Sequence, residues 1–262
     1  MSRARLGFLL VFVVAFCGPA ALASGQRQKR SAAPAFPSSA QVAAAKRYAG
    51  SRAGIVSFTV VDSRGKRYSF GGDRQFVSAS VVKATLMTCF LNMKAVEQEP
   101  LSSTDRFDLR AMITESNNDA ADEIYRQVGD AHLYNLARRL GMRHFSVRGY
   151  WANAELTMND QALLMENLSR AIFPRYYAYA RSLLSSIVSW ESWGIPEVAR
   201  SRGWKVFFKG GWRGTDRGQL IHQVARLERR GEVVVICVLT DGDSSSSYGQ
   251  ETVRGIAQKL LR

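Results

Sequence analysis

The stretch Ser80-Val81-Val82-Lys83, which opens the apolar run SVVKATLMTCFLNMKA (80–95), decides the reading of this chain. Its pattern predicts a helix starting at Ser80. Residues three apart share a helical face, so the Lys83 amine is expected beside the Ser80 hydroxyl, placed to take its proton. A serine at a helix N-terminus also gains unpaired backbone N–H groups and the positive end of the macrodipole, both suited to a developing oxyanion. This is one way to build a nucleophilic serine without a Ser-His-Asp triad. A second match, Ser63-Arg64-Gly65-Lys66 in VVDSRGKRY, falls in a turn between strand-like runs, where no common face is imposed.

Two more elements follow in the chain. Ser116-Asn117-Asn118, in ITESNNDAADEIY, stands at an expected break between helices. There Ser116 and Asn118 can both project into a cleft, although serine and asparagine at such a place also read as ordinary helix caps. Lys209-Gly210-Gly211 is expected to end the strand WKVFF. Glycines allow close approach of backbone to a ligand, and a lysine there supplies a cation that lowers the pKa of a neighbouring lysine.

Around these motifs the chain runs helix (38–51), strands GIVSFTVVD and RYSFGG, a helical block over about 80–200, then WKVFFKGG, GQLIHQVARLE and EVVVICVLTDG, and a final helix. The final helix carries Val253, Ile256, Leu260 and Leu261 at helical spacing. Both chain ends therefore contribute to one antiparallel five-stranded sheet flanked by the terminal helices. An α+β fold follows, with a sheet lobe over 38–79 and 201–262 and a helical lobe over 80–200. A cleft between the lobes is the expected binding site.

S-x-x-K, then S-x-N, then K-x-G resembles the penicillin-recognising serine hydrolases, most closely the class A β-lactamases, over about residues 38–262. The resemblance implies a β-lactamase-like fold with Ser80 as nucleophile, Lys83 as its base, Ser116 as proton relay and Asn118 as a contact to the substrate amide. It also implies that Lys209 and Arg217 support a substrate carboxylate. The N–H groups of Ser80 and of Trp212, just past Gly211, would form the oxyanion hole. No cofactor is implied. The chain departs from the pattern where a loop glutamate would activate the deacylating water: anchoring on Trp151 puts Ala152 there. Glu155, four residues before Asn159, mimics the Glu/Asn spacing, while LTMNDQA also reads as a helix start capped by Thr157. Gly210 replaces the usual hydroxyl residue, and the segment between Ser80 and Ser116 is short.

A basic apolar leader, with Arg3 and Arg5 before LGFLLVFVVAF and Ala21-Leu22-Ala23 before Ser24, reads as a signal peptide over 1–23. Phe16 argues against lipidation at Cys17, since lipobox sequences want a small residue there. Residues 24–37 read as a flexible basic leader. Loss of Arg3 and Arg5 lowers the formal charge from +14 to +12. That charge favours anionic surfaces such as cell-wall polymers or phospholipid heads. Nucleic acid is not expected, because aromatics do not interleave with the basic residues. With the leader gone, two cysteines and three histidines remain, none at metal-ligand spacing. Export permits a disulfide between Cys89 and Cys237, but nothing in the sequence brings them together and buried free thiols are the favoured reading; a monomer is expected.

Three functions fit: an exported serine hydrolase acting on β-lactams or related acyl compounds, a peptidase or transpeptidase acting on D-Ala-D-Ala-like peptidoglycan stems, or a non-catalytic wall-binding domain on the same scaffold.

Overall fold

Strands from the two ends of the chain build the sheet. In the computed structural model, which describes residues 34–262, α1 (Ser39–Gly50) leads into β1 (Ile55–Val61) and β2 (Arg67–Phe70), followed by the short β3 (Phe76–Val77). The helical middle comprises α2 (Val82–Phe90), α3 (Lys94–Gln98), α4 (Ser103–Thr114) and α5 (Asn118–Leu140). It continues through β4 (Glu155–Leu156), α6 (Met158–Glu166), α7 (Leu168–Ala171), α8 (Pro174–Ser185) and α9 (Ile195–Arg200). The chain then returns to the sheet as β5 (Lys205–Thr215), β6 (Gly218–Arg229) and β7 (Glu232–Asp243), and α10 (Ser246–Leu260) follows.

The five-stranded sheet has the order β2-β1-β7-β6-β5 and is antiparallel throughout. The fold is α+β, as the element order implies, and its architecture is the one that the resemblance to the class A β-lactamases leads one to expect. β7 is central, and its stretch 234–239 is buried without interruption, as expected of a strand covered on both faces. Helices α1 and α10 pack on each other and on β1, β6 and β7, while α6 packs on β1, β6 and β7 and α8 on β5. Ser38 caps α1 in a capping box with Gln41, which satisfies orphan N–H groups where the first helix begins.

Helix α2 is buried on all sides from Val82 to Phe90, packed against α4 and α5. An apolar helix of this kind forms the centre of a lobe, and it fixes the residues just before it. Cys89 and Cys237 are both buried and free, and burial raises the Cys89 pKa to about 12.

Two boundaries differ from the sequence reading. The helix after Ser80 begins at Val82, and Ser80 itself lies in a 3₁₀ turn, Ala79–Val81. Lys209 is interior to β5, which stays in register with β6 through Gly210, Gly211 and Trp212 as far as Thr215. Glycine weakens a strand without ending it when the backbone pairing continues. Phe36, from the stretch read as a flexible leader, stacks on Trp204 with ring centroids 5.6 Å apart. Its backbone also pairs with Ser63. The leader over 1–23 and Cys17 lie outside the described residues. Among the described residues no helix is long and apolar enough to cross a membrane.

Candidate active site

Ser80 is held from three directions. His222 of β6 is bonded through Nε2 to the Val77 carbonyl at 3.0 Å. The Ser78 N–H donates to the Ala154 carbonyl at 2.8 Å. Ala79, with φ at +43°, turns the chain so that Ser80 faces β5. A Cβ on Gly211 would lie 2.7 Å from the Ser80 nitrogen and 2.9 Å from that of Val81. Only glycine permits this approach of two backbones.

Lys83 is one turn further on and fully buried. Its ammonium donates to the Ser116 carbonyl at 2.5 Å and to Asn118 Oδ1 at 2.7 Å, and it sits 4.8 Å from the centre of the Trp151 ring. Burial lowers its pKa from 10.5 to about 7; the charge of Lys209 acts in the same direction, and Glu191 and Asp122 oppose it. No hydrogen bond joins the Ser80 hydroxyl to Lys83 in this state.

Ser116 is a turn residue with φ at +55°. The capping role goes to its neighbour: the Asn117 side chain accepts from the Ala120 N–H at 2.8 Å. That division leaves Ser116 and Asn118 free to face Lys83. The Ser116 hydroxyl in turn accepts from Lys209 Nζ at 3.0 Å. Lys209 is also fully buried, and its ammonium reaches Glu191 at 3.3 Å and the Gly210 carbonyl at 3.1 Å. Burial lowers the Lys209 pKa, and the Glu191 carboxylate works against that lowering.

Ser80, Lys83, Ser116, Asn118, Lys209 and Gly211 are thus linked by contacts running from α2 through α5 to β5. Trp212, 42% exposed, follows at the edge. Arg217 is engaged elsewhere: its guanidinium pairs with Asp241. Together they line a cavity of about 660 Å³, shared with Arg74, Arg213 and Glu155, whose walls do not include Ser80. Glu155 is exposed, its backbone pairs with that of Ser146, and its carboxylate accepts a 3.4 Å bond from the Ser146 hydroxyl. Asn159 does not turn to the cleft, since it bonds Thr59, Ser69 and Asp73.

Glu191 and Asp122 enter unforeseen, and Trp151, which served only as an anchor in the sequence, gains a contact with Lys83. Glu191 and Trp151 come from 3₁₀ turns, Ser189–Glu191 and Trp151–Asn153. Asp122 accepts from Trp151 Nε1 at 2.6 Å and lies one turn after Asn118 on α5. The signal for Glu191 was an acid inside SWESW, between aromatic residues.

The family model described as "Beta-lactamase enzyme family" matches residues 109–262. The chain belongs to that family. The matched stretch contains Ser116, Asn118, Lys209 and Gly211, while Ser80 and Lys83 precede it. Among solved structures, a β-lactamase from Sphaerobacter thermophilus is 19% identical, with a TM-score of 0.71 over 84% of this chain and 95% of that one. A β-lactamase from Xanthomonas campestris pv. campestris is 16% identical, with a TM-score of 0.71 over 85% and 97%. PBP-A is 16% identical, with a TM-score of 0.68 over 83% and 94%. At these identities the likeness is one of fold. No curated protein matches the chain.

Proposed function

We propose that this member of the β-lactamase family is an exported serine hydrolase, acylated at Ser80 by β-lactams or related amides, with its catalytic domain over 38–262. The observation that carries the reading is Lys83. It is an amine one turn from a serine, buried, with a pKa of about 7, where a general base works best.

In this mechanism neutral Lys83 takes the Ser80 proton as the oxygen attacks the substrate carbonyl. Because substrate binding commonly tightens catalytic contacts, the bond absent between Ser80 and Lys83 forms at that stage. The N–H groups of Ser80 and Trp212, brought together by Gly211, receive the oxyanion. Asn118 holds the substrate amide. Ser116 gives its hydroxyl proton to the departing nitrogen and is reprotonated by Lys83 with the proton taken from Ser80, and the Lys209 charge stabilises the Ser116 oxygen between the two transfers. Water then cleaves the acyl ester.

A second reading has its own support. Among the described residues no carboxylate is hydrogen-bonded to Lys83: Asp122 accepts from Trp151 and Glu191 pairs with Lys209. That arrangement supports a long-lived acyl-enzyme that hands its acyl group to an amine, as a peptidoglycan transpeptidase does. Intact mass after exposure to a panel of penicillins and neutral activated amides, followed over time, tests both. A Ser80-dependent adduct, absent from Ser80→Ala, is expected. Quick loss of the adduct favours hydrolysis, and persistence favours transfer. No adduct with any compound refutes acylation.

A further inference from the structure

A cavity of about 700 Å³ lies at the end of the sheet where β5 begins and β6 turns into β7. Four of its lining side chains are cationic, Arg202, Lys205, Arg229 and Arg230, and two are acidic, Glu228 and Glu232. Both acids already have partners. Glu228 accepts from the Arg181 guanidinium at 2.6 and 2.7 Å and from Arg226 Nε at 2.8 Å. Arg181 above all, with Arg226 beside it, holds that carboxyl below the usual carboxylate range. Glu232 pairs with Arg229 at 3.7 Å.

Three cations remain over. Arg202 donates to the Val198 carbonyl at 3.1 Å, and among the described residues no carboxylate pairs with it. Lys205 stands opposite Glu228 across the ladder but forms no ion pair with it. Arg230 is exposed and likewise has no acidic partner among the described residues. With φ at +50°, before Gly231 at +83°, Arg230 occupies the first central position of the β6–β7 turn. Asparagine, aspartate or glycine suits that position best. The turn thus keeps a cation at the rim where a smaller residue would sit more easily.

From this we infer that the cavity binds the phosphate of a phosphodiester-linked polymer, with Arg202, Lys205 and Arg230 sharing its charge. A planar carboxylate is satisfied by two guanidinium groups, as Glu228 is, whereas the tetrahedral oxygens of a phosphate suit donors arriving from three directions. The volume also has room for the organic units on either side of the phosphate. A membrane surface fits less well, because Val233 is the one apolar side chain among the lining residues and offers little to bury in a bilayer. Gly211 lies six residues beyond Lys205 on β5, roughly 20 Å away at the usual strand rise. A polymer held here leaves the Ser80 cleft open, and the inference does not depend on acylation at Ser80.

Poly(glycerol phosphate), inorganic phosphate, poly-glutamate of matched charge and phosphatidylglycerol vesicles serve as probes, each titrated against the protein by calorimetry. The phosphodiester polymer is expected to bind at least about tenfold more tightly than poly-glutamate or inorganic phosphate. A variant carrying Arg202→Gln, Lys205→Gln and Arg230→Asn should lose about tenfold or more in affinity for it, the scale of charged hydrogen bonds. A variant carrying Arg47→Gln, Arg143→Gln and Arg148→Gln, which removes three exposed cations elsewhere, should lose far less. Arg230→Asn alone creates the Asn-Gly pair such turns favour, so it should melt no lower than the natural protein while binding the polymer more weakly. Equal losses in the two triple variants, affinity for poly-glutamate or inorganic phosphate equal to that for the polymer, or binding confined to the vesicles overturns the inference.

Discussion

The Lys83 ammonium lies under the Trp151 ring, 4.8 Å from its centre, and Asp122 anchors that ring by its N–H. Trp151 is 3% exposed and excludes water from the lysine whose burial lowers its pKa most. Trp151→Ala should admit water and raise that pKa toward 10.5. A base acts in its neutral form, so the acylation rate rises with pH through about 7 in the natural protein. In Trp151→Ala the rise should move at least one unit higher, and in Trp151→Phe it should stay near its natural position. The pH dependence of acylation, read by rapid-quench mass measurement, checks this; an unmoved limb in the alanine variant would refute burial by Trp151 as the cause.

The same shift sets a slope in stability. Between about pH 7 and 10.5 the folded protein leaves Lys83 neutral while the unfolded chain protonates it, so the unfolded state binds more protons and stability rises with pH. Below about pH 7 both states carry the charge and the cost of burying it is fully present. Lysine 209, also lowered by burial, adds a slope of the same sign. Lys83→Met removes the charge but strands the Ser116 carbonyl and Asn118. A net gain of roughly 2 kcal/mol near pH 6, turning into a net loss of about the same size toward pH 10, is expected. Urea unfolding across that range measures it, and equal slopes in the two proteins would contradict the assignment.

Much of the fold was legible because it follows from local rules. Ser38 or Ser39 offers a cap for the first helix, and the apolar run EVVVICVLT reads as a strand, whereas the capping role of Gln41 and the central place of β7 come only from the folded structure. The S-x-x-K spacing pointed to a shared face, but the sequence did not reveal that Ala79 adopts a positive φ and puts Ser80 in a 3₁₀ turn ahead of the helix. WKVFFKGG by itself predicts a strand that ends at its glycines, because pairing with His222 and Gln223 is a property of β6. Glu191 and Trp151 stayed hidden for a related reason. Each meets its lysine across 18 and 68 residues, and even an acid set between two tryptophans, as in SWESW, does not say which lysine it will face.

Gly211 and Gly210 differ in what surrounds them, and substitution should separate them. In Gly211→Ala the new methyl group would press on the backbone nitrogens of Ser80 and Val81, which cannot move aside as a flexible side chain would. Displacing an oxyanion donor costs about 10²–10³ in rate, so acylation should fall by that order. The Cβ of Gly210→Ser meets two indoles and the His222 carbonyl at ordinary contact distance and the variant should stay within about 0.5 kcal/mol of natural stability. Parallel acylation rates and melting curves would show it, and similar behaviour of the two variants would argue against Gly211 as the point of close approach.

Lys209 and Glu191 form a buried ion pair at 3.3 Å, and such pairs are costly to break from one side. Glu191→Gln leaves the Lys209 charge facing only the Ser116 hydroxyl and the Gly210 carbonyl, and should destabilise the protein by about 3 kcal/mol. Lys209→Met leaves the Glu191 carboxylate buried without a cation, with a loss of similar size. Joined in one protein, the two changes remove both charges, so the double variant should be more stable than the sum of the single losses implies, by 1 kcal/mol or more. Activity separates the roles further. Glu191→Gln keeps the Lys209 amine within reach of Ser116 but lowers its pKa, so acylation should weaken toward high pH as Lys209 loses its proton. Lys209→Met should lose acylation at every pH. Additive losses in stability, or an unchanged alkaline limb in Glu191→Gln, would mean that the carboxylate does not hold the charge on Lys209.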